Sequence, residues 1–128
     1  MSGSPVFFVC KQCGDIVKVI KNSVASMITC CNNDMIELVP NTVDASVEKH
    51  LPAVTILDNS INVEIGSIPH PMQNDHHITF VCVETEHGEQ CKYLKIGEEP
   101  KLVFSFSNDK PVAVYAYCNL HGLWKTKI

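Results

Sequence analysis

"KLVFSFSNDKPVAVYAYCNLHG", residues 101–122, holds two apolar runs parted by the polar "SNDK" and ends on a cysteine and a histidine three residues apart. It reads as strand, turn, strand. The same rhythm extends back along the chain. "AVTILD" (53–58), "INVEIGSI" (61–68), "HITFVCVET" (77–85) and "KYLKIG" (92–97) recur at spacings of roughly 10 residues, divided by "DNS", "HGEQ" and "GEEP". Regular short strands of this kind predict an all-β sandwich. Just before them, "TVDASVEKH" (42–50) admits one short helical turn, with Asp44 as a candidate cap.

The N-terminal region has a different character. "FFVCKQCGDIVKVI" (7–20) is followed by a polar link and by "MITCCNNDMIELV" (27–39). Ile16, Val17, Val19 and Ile20 suggest a short hairpin strand, with Gly14 as the turn residue after Cys13. So small a segment buries too little apolar surface to fold without a staple. Pro40 and Asn41 mark the boundary, giving a small domain over 1–39 and a larger one over 40–128.

Composition narrows the function. Among 128 residues, 45% are apolar and 19% charged, which excludes global disorder. A net charge of −4 argues against nucleic acid as a partner, since phosphate binding wants a basic patch. No apolar run approaches the roughly 20 residues that span a bilayer. The opening "MSGSPVFFVCKQCG" lacks a basic n-region, so the cytoplasm is the expected compartment. There, seven cysteines and six histidines point to metal or redox chemistry rather than a disulfide framework.

Cys10 and Cys13 form C-x-x-C, and Cys30 and Cys31 form an adjacent pair. Two thiol pairs in a segment too small for its own core are a strong metal signal. Four thiolates suit zinc or a single iron, and a zinc ribbon or disulfides are the competing readings. The adjacent pair departs from a ribbon. Neighbouring α-carbons lie only about 3.8 Å apart, so both thiolates reaching one ion are expected to strain the tetrahedron.

A second set lies in the strand region. His50 ("EKHLP"), His70 and His76 ("HPMQNDHHI") and His121 ("CNLHG") all fall at strand ends or connections, where functional side chains are carried. His76 and His77 are neighbours whose side chains point to opposite faces of a strand, so at most one is a ligand. Cys118 and His121 share an ion only if the segment between them turns tightly.

Together, "CKQCG", "TCCNNDM", "EKHLP", "HPMQNDHHI", "YLKIGEEP" and "YCNLHGLWK" resemble desulfoferrodoxin, the two-iron class of superoxide reductase, in order and over nearly the whole chain. The resemblance implies a small desulforedoxin-like domain followed by an immunoglobulin-like β-sandwich, assembled as a homodimer. It implies that Cys10, Cys13, Cys30 and Cys31 hold a first iron. His50, His70, His76 and His121 then form an equatorial square around a second iron, with Cys118 as axial thiolate. The implied activity is one-electron reduction of superoxide to hydrogen peroxide, served by a rubredoxin-like electron donor. Lys49 is expected to steer the anion and organise a proton-donating water, and Glu48 to occupy the open position in the oxidised state. An ordinary solvated surface is the plainer reading of these two residues. His77 stands where the family often has an aromatic residue.

The remaining residues take plainer readings. Cys82 reads as a small buried strand residue and Cys91 as a loose thiol, a disulfide between them being an alternative that nothing in the sequence supports. His87 reads as solvated, and Tyr117 and Trp124 as core or interface aromatics. Two other functions compete with the enzyme: an iron electron carrier without catalysis, and a zinc-stabilised binding module.

Overall fold

The computed structural model describes residues 5–20 and 28–128, so the polar link expected before "ITCC" lies largely outside the described residues. The chain divides into two compact units, Met1–Val39 and Pro40–Ile128.

In the first unit, β1 (Val6–Val9), β2 (Ile16–Val19) and β5 (Ile36–Glu37) form an antiparallel sheet in the order β2-β1-β5, and β3 (Thr29–Cys30) pairs with β4 (Asn33–Asp34). The predicted hairpin is present. Gly14 sits in its turn at φ +83°, a conformation that a β-carbon disfavours. The core is correspondingly small: Phe8, Cys10 and Met35 are buried, with Val6, Val19, Ile28 and Cys30 packed against them.

The second unit opens with a single helical turn, α1 (Val47–His50). Its N-terminal cap position is Ser46 rather than Asp44, and no side chain caps it. The Ser46 hydroxyl instead donates to the Glu48 carboxylate. Seven strands follow: β6 (Pro52–Ile56), β7 (Ser60–Ile65), β8 (Ile78–Thr85), β9 (Glu89–Tyr93), β10 (Lys101–Ser105), β11 (Pro111–Cys118) and β12 (Gly122–Lys127). They form sheets β10-β7-β6 and β12-β11-β8-β9, antiparallel throughout, in the three-plus-four arrangement of an immunoglobulin-like sandwich. Inward residues alternate along the strands: Ile61, Val63 and Ile65 on β7, then Val114, Ala116 and Cys118 on β11, closing on Phe104. The Thr126 hydroxyl donates to the Pro52 carbonyl at 2.6 Å, tying β12 to β6.

Two strands differ from expectation. β9 begins at Glu89, ahead of the "KYLKIG" run, and β12 follows the "CNLHG" turn. Cys82 and Cys91 are directly opposite on β8 and β9 and are joined by a disulfide, so Cys91 is not a loose thiol. Among the described residues, no helix is long and apolar enough to cross a membrane.

Candidate metal centres

The sulfur atoms of Cys10, Cys13, Cys30 and Cys31 all lie within 4.8 Å of one another. Cys13 Sγ is 3.5 Å from Cys30 Sγ, and Cys30 Sγ is 3.9 Å from Cys31 Sγ. A tetrahedral ion with metal–sulfur bonds of about 2.3 Å has sulfur–sulfur edges of roughly 3.8 Å. The cluster therefore has the dimensions of a closed four-thiolate site. The backbone N–H of Cys13 pulls the Cys10 thiol down to about 6. Cys30 and Cys31 are pushed up, in both cases chiefly through their hydrogen bonding to Cys13. A bound cation removes the cost of ionising all four.

The adjacent cysteines reach one point by a local device. Cys30 pairs with Asn33, and the two residues between, Cys31 and Asn32, have φ of 53° and 62°. Positive φ at both central residues is the pattern of a type I′ hairpin turn. The cost of bringing both sulfurs to one point is thus carried in the backbone rather than in the tetrahedron, as left-handed conformations that a residue other than glycine adopts at some cost.

The second centre lies at one end of the sandwich. Cys118 continues the inward row of Val114 and Ala116 and is fully buried. The register of β11 against β8 shifts just there: Tyr117 faces Phe80 but Cys118 faces Ile78, so Thr79 is bulged. Bulges beside sites re-aim side chains. Three residues link β11 to β12, and Gly122, at φ +79°, closes the turn. The tight turn that a shared ion requires is present, and it brings His121 Nδ1 to 3.8 Å from Cys118 Sγ. Burial pushes the Cys118 thiol up, while the N–H groups of Leu120 and His121 oppose that shift.

Four imidazoles meet as a square at this end of the sandwich, three of them beside the thiol. Going round it, ring centroids are 4.6 Å apart for His50–His70, 4.6 Å for His70–His76, 5.2 Å for His76–His121 and 4.9 Å for His50–His121. The His50–His76 diagonal is 6.3 Å. Ligand atoms of His50, His76, Cys118 and His121 lie within 4.8 Å of one another, and His70 falls outside that tightest group. His77 stays out of the square, its Nδ1 donating to the Gln73 carbonyl.

The ring nitrogens fit a metal. His50 Nδ1 is 2.6 Å from the Ser46 carbonyl and His70 Nδ1 is 2.7 Å from the Pro71 carbonyl. A carbonyl only accepts, so each Nδ1 carries the proton and each Nε2 is left with a lone pair. His70 Nε2 and His76 Nε2 are buried without a hydrogen-bond partner, an arrangement that costs free energy unless something fills it. His50 Nε2 and His121 Nδ1 face each other at 3.1 Å. Burial, the leading cause for all three, lowers the pKa of His50, His70 (to about 4) and His76, keeping the rings neutral as ligands must be.

Two residues outside the ligand set hold it. The Asn119 side chain accepts from the His77 N–H at 2.9 Å and donates to the Asp75 carbonyl at 3.0 Å, gripping the chain on both sides of His76 from the position next to Cys118. Trp124 stacks on His50, centroids 5.0 Å apart, and its Nε1–H donates to the His121 carbonyl. It is thus part of the site's wall, whereas Tyr117 stacks on Phe80. Only the position of Asn119 inside the tight turn after Cys118 hinted at its grip.

With this geometry, comparison with known proteins is specific. The family described as Desulfoferrodoxin matches residues 42–127. The chain belongs to the desulfoferrodoxin family. It is 37% identical over 118 residues to a desulfoferrodoxin of Desulfarculus baarsii, covering 92% of each chain. With the desulfoferrodoxin of Clostridium acetobutylicum it shares 35% over the full length of both. The crystal structure of the superoxide reductase from Treponema pallidum superposes with a TM-score of 0.84 at 32% identity, covering 97% of this chain and 99% of that one.

Proposed function

We infer that the protein is a superoxide reductase, converting superoxide to hydrogen peroxide by one-electron reduction at the His50, His70, His76, His121 and Cys118 centre. The observation that carries this is the imidazole square closed over a buried thiol, with two Nε2 atoms buried and unpartnered. We assign iron to this centre and a second iron to Cys10, Cys13, Cys30 and Cys31. Residues 1–39 then form the desulforedoxin-like domain and residues 40–128 the reductase domain.

Iron bound in the square supplies the single electron that superoxide takes up. The chain supplies the rest. Four neutral rings and one thiolate leave a divalent ion with net positive charge, which attracts an anion to a protein that is negative overall. Lys49, exposed on α1 beside His50, adds to that field; its charge also biases His50 and His76 toward the neutral form. Reduction to hydrogen peroxide consumes two protons, and we assign the Lys49 ammonium to ordering the water that delivers them. Glu48 is held ionised by its own backbone N–H and the Ser46 hydroxyl, and we assign its carboxylate as the group that would bind the iron in the oxidised state. The four-cysteine site requires its thiols unpaired, which supports a reducing, cytoplasmic compartment, and removing superoxide is the detoxifying role we assign to the activity. A homodimer and a rubredoxin-like donor complete the reading on family grounds.

The test is a stopped-flow pulse of superoxide onto the reduced, iron-loaded protein. Hydrogen peroxide without oxygen release is expected, and Cys118→Ser is expected to lose it together with the oxidised site's thiolate colour. Oxygen released in dismutase proportion overturns the assignment. For Lys49→Met, the second-order rate is expected to fall and to depend less on salt than the native rate, since a Debye length of about 10 Å at 0.1 M already screens steering. A slower later phase with unchanged initial capture instead assigns Lys49 to proton delivery alone.

A further inference from the structure

Cys82 and Cys91 belong to neither metal cluster. They are direct register partners on β8 and β9, flanked by the pairs Val81–Lys92 and Val83–Gln90, so the strands hold the two sulfurs together without backbone movement. Their exposures differ sharply. Cys82 is 2% exposed, whereas Cys91 lies exposed on the outermost strand of its sheet. The same strand β8 begins at Ile78, opposite Cys118. Four residues at about 3.3 Å each place Cys82 roughly 13 Å along the sheet from that position.

We propose that Cys82 and Cys91 are a peroxide-responsive thiol pair, in which Cys91 takes the oxidant and Cys82 closes the disulfide. This rests on the superoxide reductase reading for its local source of hydrogen peroxide. The Cys91 sulfur, as thiolate, attacks one peroxide oxygen; an S–O bond forms, the O–O bond breaks, and the departing hydroxide leaves as water with the proton Cys91 released. The Cys82 sulfur then attacks Cys91; the S–S bond forms, the S–O bond breaks, and the second hydroxide leaves as water with the Cys82 proton. Two thiols lose two electrons, and one hydrogen peroxide becomes two waters. Exposure suits Cys91 to meet a diffusing oxidant, and burial directly opposite suits Cys82 to resolve it. A nine-residue separation closes only a short loop, which constrains the unfolded chain less than a long one. The bond is therefore better suited to switching than to stapling.

The test uses the iron-loaded protein, reduced with a dithiol, freed of reductant and given a molar equivalent of hydrogen peroxide directly, so that it does not depend on superoxide turnover. Peptide mass spectrometry after thiol blocking is expected to find the 82–91 linkage, lighter by two hydrogens and reversed by the dithiol. Cys82→Ala is expected to leave Cys91 as a sulfenic acid that dimedone traps, and Cys91→Ser, at an exposed position, to leave Cys82 a thiol. The proposal is overturned if both thiols survive the peroxide, if the bond resists the dithiol, or if Cys82 oxidises without Cys91.

Discussion

Gly66 lies beneath the α1 turn that carries Glu48, Lys49 and His50. A β-carbon built there would sit 2.5 Å from the Glu48 carbonyl oxygen, 2.9 Å from the Lys49 carbonyl carbon and 3.0 Å from the Leu51 carbonyl oxygen. Ordinary contact begins near 3.4 Å, so Gly66→Ala demands about 0.9 Å of relief (3.4 minus 2.5). The obstacles are backbone, and the Glu48 carbonyl is already tied down by the Ile68 N–H at 2.9 Å and the Ser67 hydroxyl. The turn must therefore shift as a body. Overpacking of this size costs about 1–3 kcal/mol. A displacement near 1 Å at positioning groups costs up to about 10²-fold in rate. The expected result is a Tm several degrees lower and a second-order rate with superoxide reduced by about 10- to 100-fold, with iron content measured alongside. Gly88→Ala, whose β-carbon would meet nothing within 4 Å, is the control expected to change neither. A Gly66→Ala protein with native rate and native Tm would refute the claim that this contact sets the position of Lys49 and His50.

Three further outcomes follow from the geometry. Cys13→Ser is expected to disturb the four-thiolate centre, read by its visible absorbance, while the histidine centre keeps its metal, because the two ligand sets share no residue. Asn119→Ala is expected to speed metal loss to a chelator from the histidine centre at least several-fold, by releasing the chain on both sides of His76; an unchanged rate of loss would show that the grip is idle. Asp109 is held below its ordinary value of 3.8, first by Thr85 and then by the Lys110 N–H and His87. A depressed carboxylate contributes stability above its ordinary pKa and loses it as pH falls through the lower, folded value. Thermal melts of Asp109→Asn should therefore lie below native at pH 7 and converge with native as the pH drops well under 3.8.

Much of this protein was legible in its sequence because the signals were one-dimensional. The inward row of β7 alternates cleanly, β11 is a continuous apolar run, and both ligand sets cluster in short motifs. β9 begins ahead of the "KYLKIG" run because "EQCKY" is a polar edge strand with no buried residue to mark its start, and β12 escaped because "GLWKTK" places only two apolar residues in six. The choice of His76 over His77 was left open by strand alternation and settled by the square. Fitting adjacent cysteines to one ion took positive φ at Cys31 and Asn32, a conformation that asparagine favours but cysteine does not announce. The Cys82–Cys91 bond depends on the β8–β9 register, a pairing of strands rather than a property of either.

The partners of His50 and His70 have one more consequence. Both rings are oriented by main-chain carbonyls, those of Ser46 and Pro71. Every amino acid offers that oxygen, so substitution at position 46 or 71 leaves the acceptor in place as long as the local path of the chain survives. The alignment of these two ligands is thus buffered against single codon changes. That of His76 is not, because its bracket is the amide of Asn119, which almost any replacement deletes. Metal retention should accordingly survive substitution at positions 46 and 71 and suffer at Asn119, a contrast that saturation mutagenesis of the three positions, read by metal content, would show directly.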